Sequence, residues 1–91
     1  MDKNKTKILQ ALGFLVRQHR LNLGISQEEL AMRSNLDRTY ISGIERGIRN
    51  PSLTALVSLA DGMKINVSNL LEGLEAKIIV ENGKNNQSRS T

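Results

Sequence analysis

The segment between Asp37 and Gly47 carries several hydrogen-bonding side chains at helical spacing and only a few apolar ones. On a helix that turns about 100° per residue, Tyr40, Ile41 and Ile44 gather on one side. The opposite side holds polar, basic and small residues, namely Arg38, Thr39, Ser42, Gly43 and Arg46. Such a helix anchors itself by a narrow apolar stripe and presents a basic, polar face outward.

This polar face has the chemistry that recognises nucleic-acid bases. Arginine can donate paired hydrogen bonds to guanine, serine and threonine can bond to bases or phosphates, and a threonine methyl can contact that of thymine. A face that only meets solvent would be richer in Glu and Lys arranged as i,i+4 pairs. The plainer alternative, that Arg38, Arg46 and Arg49 are ordinary surface charges, stays open at this point.

Two helices are predicted before this segment in the chain. Apolar periodicity predicts a first helix over Thr6–Leu23, ended by Gly24. The sequence "SQEE" is a capping box that starts a second helix at Ser26 and lets it run to about Ser34. Asn35 tolerates positive φ, so a sharp turn is expected there without a glycine.

The caps of the later helices are predicted from single residues. Asp37 caps the third helix, over Asp37–Arg46, and Gly47 ends it. In "NPS", Asn50 is the predicted cap of the fourth helix and Pro51 its first residue. The inner side of that helix is predicted to hold Leu53, Leu56, Val57, Leu59 and Ala60. Asn66 is expected to cap a short fifth helix that holds Val67, Leu70 and Leu71.

The predicted fold class is all-α, a compact bundle of about five helices, because every element is helical and the connections are short. Residues 6–74 form the predicted helix-turn-helix domain, and residues 75–91 a C-terminal extension. Within the extension, "LEAKIIVE" either continues a helix or forms a short strand. The polar residues 82–91 are predicted to be a disordered tail.

Composition narrows the function classes. The chain has 91 residues, a net charge of +4 and no cysteine, so a polyanionic partner and a reducing cytoplasm are expected. Solubility alone would also explain the charge. With one histidine and no phosphate-cradling loop, no constellation for catalysis, a cofactor or a metal is found. No stretch approaches the roughly 20 apolar residues of a membrane helix, so no membrane partner is expected.

Two short helices, a tight turn and an outward polar second helix form the helix-turn-helix arrangement, whose second helix enters the major groove of DNA. Gln27–Gly47, with the flanking "LVRQHRLNLGIS" and "NPSLTALVSLA", resembles the phage-repressor/Cro-type (XRE family) domains, lambda-repressor-like in fold. The resemblance covers about Leu9–Leu71. Within that family, "NLDRTYISGIERGIRNPSL" is most similar to the controller proteins of restriction–modification systems.

The resemblance implies which residues contact DNA. Arg38, Thr39 and Gly43 correspond to positions that face base edges; because Gly43 has no side chain, Ser42 or a base stacked near Tyr40 is expected to substitute. The alternative for Tyr40 is core packing. The positions that contact phosphates in the family are matched here by Gln27, Arg46 and Arg49. Arg49 could also reach a groove.

The resemblance also implies structural features. Arg20 and Glu45 match a pair that forms a partly buried ion pair bracing the first and third helices. Asn35 replaces the usual glycine of the turn. Lys64 stands where a glycine commonly ends the fourth helix, so the exit from that helix is where the chain departs from the pattern.

The implied function is a sequence-specific regulator of transcription that binds double-stranded DNA and controls its own operon, a cytoplasmic protein that associates with the bacterial nucleoid. A homodimer on a palindromic operator is expected, with a dimer surface of Ile65, Val67, Leu70 and Leu74. Glu28 and Glu29 are expected to cap the second helix or to face solvent. The resemblance leaves RNA polymerase open as a further partner, because relatives that activate transcription contact it through acidic residues in this area. Two alternatives stay open: an antitoxin-type autorepressor that also binds a protein toxin, and a protein-only adaptor.

Overall fold

The computed structural model describes residues 3–78, and these residues are helical or lie in short connections. The helices are α1 (Lys3–Leu23), α2 (Gln27–Ser34), α3 (Arg38–Glu45), α4 (Leu53–Gly62) and α5 (Val67–Leu70). Residues 74–78 add a further helical stretch. The prediction of an all-α helix-turn-helix bundle is confirmed; α1 begins three residues before the predicted Thr6 and ends at Leu23 as predicted.

The core lies where α1, α2, α3 and α4 meet, and it is aliphatic because the chain contains only one Phe, one Tyr and no Trp. Its fully buried side chains come from every helix: Val16, Leu30, Ile41, Ile44, Leu59, Met63 and Leu70. Burying one such side chain stabilises the fold by about 1.5–3 kcal/mol. Two of the seven belong to α3, which therefore depends on the core for its position.

Local capping fixes the helix-turn-helix unit largely as predicted. Ser26 Oγ accepts from the Glu29 N–H at 3.0 Å and starts α2. Asn35 adopts φ 56° and ψ 42°, the left-handed conformation that the turn requires. The Glu29 carboxylate accepts from Arg33 Nε at 2.9 Å, one turn further along α2. Asp37 occupies the N-cap position of α3, but its side chain makes no capping hydrogen bond.

The predicted start of α4 at Asn50 and Pro51 is wrong. Ser52 is the N-cap, and its Oγ accepts from the Ala55 N–H at 3.1 Å. The Ser52 hydroxyl satisfies a free N–H group of the first turn, so α4 begins two residues later than predicted.

The predicted inner face of α4 is correct for Leu59 and Ala60, which are buried, and for Leu56, which packs against the core. It is wrong for Leu53 and Val57, which are 69% and 51% exposed. Ala55 and Met63 occupy the buried side instead. Apolar residues repeat at helical spacing on both sides of α4, in one row as Leu53 and Val57 and in the other as Leu56, Ala60 and Met63. The sequence pattern alone therefore does not choose which side is buried.

Gly13 permits a close approach between α1 and α3, and its role was not predicted. It is buried in the middle of α1, where α1 crosses the end of α3. A Cβ at this position would lie 2.6 Å from the Glu45 carbonyl oxygen. A glycine inside a helix lowers helix stability by about 1 kcal/mol relative to alanine. The close packing of α1 on α3 explains why a glycine is present here despite this cost.

The C-terminal part of the described chain returns to α1. Residues 74–78 are helical, which agrees with the helical alternative for "LEAKIIVE" up to residue 78. Lys77 Nζ lies 3.4 Å from the centroid of the Phe14 ring. Residues 79–91, with the predicted disordered tail, lie outside the described residues. Across residues 3–78, no helix has the length and apolar character needed to cross a membrane.

Lys64 is expected to strain the exit of α4, because it adopts φ 61° and is not glycine. A left-handed residue with a Cβ costs on the order of 1 kcal/mol more than glycine, so Lys64→Gly should stabilise the chain by about 0.5–1 kcal/mol. Urea denaturation measures the change in the free energy of unfolding.

The matched control for this prediction is Asn35→Gly, at φ 56°. Asparagine tolerates the left-handed region, so this change should be close to neutral. Equal effects of the two substitutions would contradict the proposed strain at Lys64.

Candidate nucleic-acid interface

The outer face of α3 is polar and accessible, as the sequence predicts. Ile41 and Ile44 are 0% exposed and anchor the helix. Arg38 and Thr39, at the amino end of α3, and Arg46, just after it, are exposed. Ser42 is half-buried beside them. A helix that buries one face and exposes its first residues can place those residues in a groove of DNA.

Gly43, which was predicted to lie on the outward polar face of α3, is buried, because Arg49 lies over it. A Cβ at this position would be 2.5 Å from Arg49 Cγ. The N–H groups of Ile48 and Arg49 donate to the Gly43 carbonyl oxygen at 3.0 and 3.2 Å. The loop after α3 thus folds back against the helix, and the absence of a side chain at Gly43 makes room for Arg49.

Tyr40 holds the guanidinium of Arg49 beside the outer face of α3. Arg49 Cζ lies 5.4 Å from the centroid of the Tyr40 ring, within range of a cation–π interaction. The Tyr40 side chain is half-buried and also packs against the core. Both predicted roles of Tyr40 are therefore compatible with its position: it contributes to the core, and its ring lies next to Arg49 beside the outer face of α3.

Glu45, at the end of α3, joins the first three helices through hydrogen bonds. It receives Arg20 Nε at 2.7 Å on Oε2 and Arg20 Nη2 at 3.0 Å on Oε1. Arg20 Nη1 also donates to the Ile25 carbonyl oxygen at 2.9 Å. The side chains of Arg20 and Glu45 are only 10% and 4% exposed. The structure thus contains the bracing ion pair that the family resemblance implies.

The hydrogen bond to Glu45 raises the pKa of Arg20, against the opposing effect of burial. The charges of Glu45 and Glu28 act in the same upward direction. A raised pKa in the folded state means that the associated stability is fully present below the ordinary arginine pKa and is lost only in strong base. Near neutral pH the arginine therefore stays charged.

Gln27 is held by the same network. Its Nε2 donates to Glu45 Oε1 at 3.0 Å, which uses one of the two amide N–H bonds. The second amide N–H and the backbone N–H at the start of α2, which has no partner within the helix, can still reach a phosphate. This position suits the phosphate contact predicted for Gln27, and Glu45 fixes the orientation of its side chain.

A second ion pair crosses the turn between α2 and α3. Arg38 Nε lies 3.0 Å from Glu28 Oε2, and the two side chains are 54% and 68% exposed. Sequence reasoning missed this contact, because Glu28 was assigned to solvent, to capping or to a polymerase contact. The nine intervening residues include the left-handed Asn35, whose geometry brings the two side chains together.

The predicted dimer surface needs one correction. Leu70 is 0% exposed within the single chain and cannot contact a partner. Ile65, Val67 and Leu74 are half-buried and pack against the core, so each retains some surface for a partner. Leu70 instead anchors the four-residue helix α5 to the core.

A family model for helix-turn-helix domains, HTH_3, matches residues 16–70. Among curated relatives, the control protein C.BamHI of Bacillus amyloliquefaciens is 44% identical over 61 residues, covering 66% of this chain and 75% of the relative. The control protein C.SmaI of Serratia marcescens is 42% identical over 64 residues, covering 70% of this chain and 76% of the relative.

Two solved structures are similar in both fold and sequence. The restriction–modification controller protein C.AhdI from Aeromonas hydrophila gives a TM-score of 0.67 at 44% identity, covering 68% of this chain and 94% of that one. The restriction–modification controller protein C.Esp1396I, solved as a tetramer in complex with its natural 35 base-pair operator, gives 0.72 at 40% identity, covering 79% and 95%. The predicted resemblance to controller proteins is confirmed.

Loss of the Glu45 carboxylate is expected to destabilise the fold strongly. Glu45→Ala leaves the charge of Arg20 buried without a partner, which should lower the free energy of unfolding by about 3–5 kcal/mol. Glu45→Gln keeps an oxygen that accepts from Arg20 and should cost less. Urea denaturation monitored by circular dichroism measures both.

The control for this prediction is Glu29→Ala, which removes the exposed i,i+4 pair with Arg33. Exposed pairs contribute at most about 1 kcal/mol. If Glu45→Ala costs no more than Glu29→Ala, the ion pair at Glu45 does not brace the fold.

Proposed function

The chain belongs to the helix-turn-helix family that the HTH_3 model describes, and from its similarity to several controller proteins we propose that it is a restriction–modification controller protein. In this role it is a sequence-specific regulator that binds double-stranded DNA and controls transcription of its own operon. The observation that carries the proposal is the exposed, basic outer face of α3, on a chain 40% identical to a controller solved with its operator.

In the proposed complex, α3 enters the major groove with its amino end leading. Arg38 and Thr39 then face base edges, where arginine selects guanine and the threonine methyl favours thymine. The positive end of the α3 dipole also points toward the DNA. Gln27 and Arg46, on either side of α3, contact the phosphates and set its depth in the groove.

Arg49, which lies over Gly43, is a further proposed phosphate contact. Its guanidinium is already stacked at 5.4 Å on Tyr40, so less of its side-chain freedom is lost on binding. Ser42, half-buried next to Gly43, completes this part of the face. Together these residues form a surface that exposes hydrogen-bond donors, whereas the carboxylate of Glu45 is buried.

The proposed regulator acts as a homodimer on a palindromic operator. A single module of this kind buries roughly 600–1,000 Å² on DNA, which gives limited selectivity. Two-fold pairing places two recognition helices about 34 Å apart, in successive turns of the major groove. Ile65, Val67 and Leu74 supply the apolar surface of this interface. The tetramer of C.Esp1396I on its operator supports assembly on DNA.

The proposed site of action is the bacterial cytoplasm, where the protein associates with the nucleoid through DNA. For activation, the proposed partner is RNA polymerase, reached from the exposed carboxylates at the amino end of α2. The antitoxin and adaptor alternatives have no support among the relatives that the comparisons describe, whereas three curated relatives are named control proteins.

The proposal predicts different defects for two arginines. Arg38→Ala should lose discrimination at one base pair by about 1–3 kcal/mol, because a base contact is removed. Arg49→Ala should weaken operator and random DNA alike and reduce the salt dependence of binding by about one unit of slope, because a phosphate contact is removed. Fluorescence anisotropy titrations at several salt concentrations measure both.

Arg33→Ala is the matched control, since Arg33 is an exposed arginine on α2 that pairs with Glu29 away from α3. It should change neither discrimination nor the salt slope appreciably. If Arg38→Ala weakens operator and random DNA by the same factor, Arg38 does not read a base.

A further inference from the structure

The Glu28–Arg38 ion pair joins an acidic residue on α2 to the first residue of the recognition helix α3. The contact is 3.0 Å long, between Glu28 Oε2 and Arg38 Nε. The second oxygen of Glu28 and the two terminal nitrogens of Arg38 are not used in it. The pair sits at the amino end of both helices, on the side that faces DNA in the proposed complex.

Stability does not explain this pair. Both side chains are more than half exposed, and exposed ion pairs contribute little to folding. The angle between α2 and α3 is already fixed by the left-handed Asn35 and by the burial of Leu30 and Ile41. The pair acts instead on the position of one long side chain, that of Arg38.

The atoms involved matter for base recognition. An arginine reads guanine with two parallel N–H bonds, and the terminal nitrogens Nη1 and Nη2 form one edge suited to this. Glu28 Oε2 lies beside Nε and leaves that edge free. An unrestrained arginine loses rotamer entropy when it becomes ordered, and the pair removes part of this cost before DNA arrives.

The charge of Glu28 has a second consequence. It neutralises Arg38 in the free protein and lies close to where phosphates pass, so it weakens attraction to DNA of any sequence. A base contact that uses Nη1 and Nη2 does not require the pair to break. Glu28 thus reduces non-specific binding while the specific contact is retained.

We propose that Glu28 is a positioning residue that orients Arg38 for base readout and raises the preference of the protein for its operator over random DNA. This inference rests on the proposed function, because it requires that Arg38 faces a base. The opposite role is a competitor: if Arg38 must leave Glu28 to reach its base, removal of the carboxylate would improve operator binding more than random binding.

The test uses the full chain and two duplexes of equal length: the sequence recovered by selection from a random pool, and its scrambled version. Affinities are measured for the wild type, Glu28→Ala and Glu28→Gln. The matched control is Glu29→Gln, which makes the same charge change one residue further along α2, where the partner is Arg33. Thermal melting of each variant verifies that it folds.

Glu28→Ala should reduce the ratio of operator to random affinity by about three- to ten-fold, a part of what one bidentate base contact supplies. Glu28→Gln keeps an oxygen for Arg38 Nε and should restore most of the ratio. Random binding should become tighter in both variants, because a negative charge is lost. Glu29→Gln should leave the ratio unchanged. In the Arg38→Ala background, Glu28→Ala should no longer alter the ratio.

An unchanged or increased ratio in Glu28→Ala would overturn the positioning role. A loss that persists in the Arg38→Ala background would also overturn it, since Glu28 would then act independently of Arg38. Failure of the proposed function is a separate result: in that case the wild type itself prefers no sequence, and no ratio exists to compare.

Discussion

The orientation of the recognition helix depends on one carboxylate, that of Glu45. α3 has eight residues, too few to be stable alone, and buries only two large side chains. Two isoleucines can hold a helix against a core while leaving it free to tilt. The bidentate bond from Arg20 fixes the carboxyl end of α3 to α1, and the close contact at Gly13 sets the distance between the two helices.

The same carboxylate connects stability to DNA contact. Glu45 accepts from Gln27 as well as from Arg20, so the start of α2 and the end of α3 are held by one group. These two helix ends bracket the surface that α3 presents. At the other end of α3 the arrangement is reversed: Arg38 is exposed and pairs with the exposed Glu28, a contact that can orient a side chain without fixing the fold. The buried pair and the exposed pair therefore have different tasks.

Features governed by local hydrogen bonding could be predicted from the sequence. Ser26, Asn35 and Asn66 cap or end helices where a serine or asparagine and its neighbours dictate it. The polar face of α3 followed from helical spacing.

Features that require contacts between distant residues were missed. The outward turn of Leu53 and Val57, the burial of Leu70 and the packing of Arg49 onto Gly43 depend on how helices and loops lie against each other, which spacing within one helix does not determine. The family resemblance supplied the Arg20–Glu45 pair, whose two residues are 25 positions apart in the chain and therefore give no local pattern.

The measurement that tests the central claim most directly is selection of bound sequences from a random duplex pool with the full-length protein. The account predicts strong enrichment of a symmetric sequence with two half-sites about one helical turn apart, since two copies of α3 enter successive major grooves. An enriched but asymmetric single site would contradict the two-fold assembly. No enrichment over the starting pool would contradict the claim that the outer face of α3 reads DNA sequence.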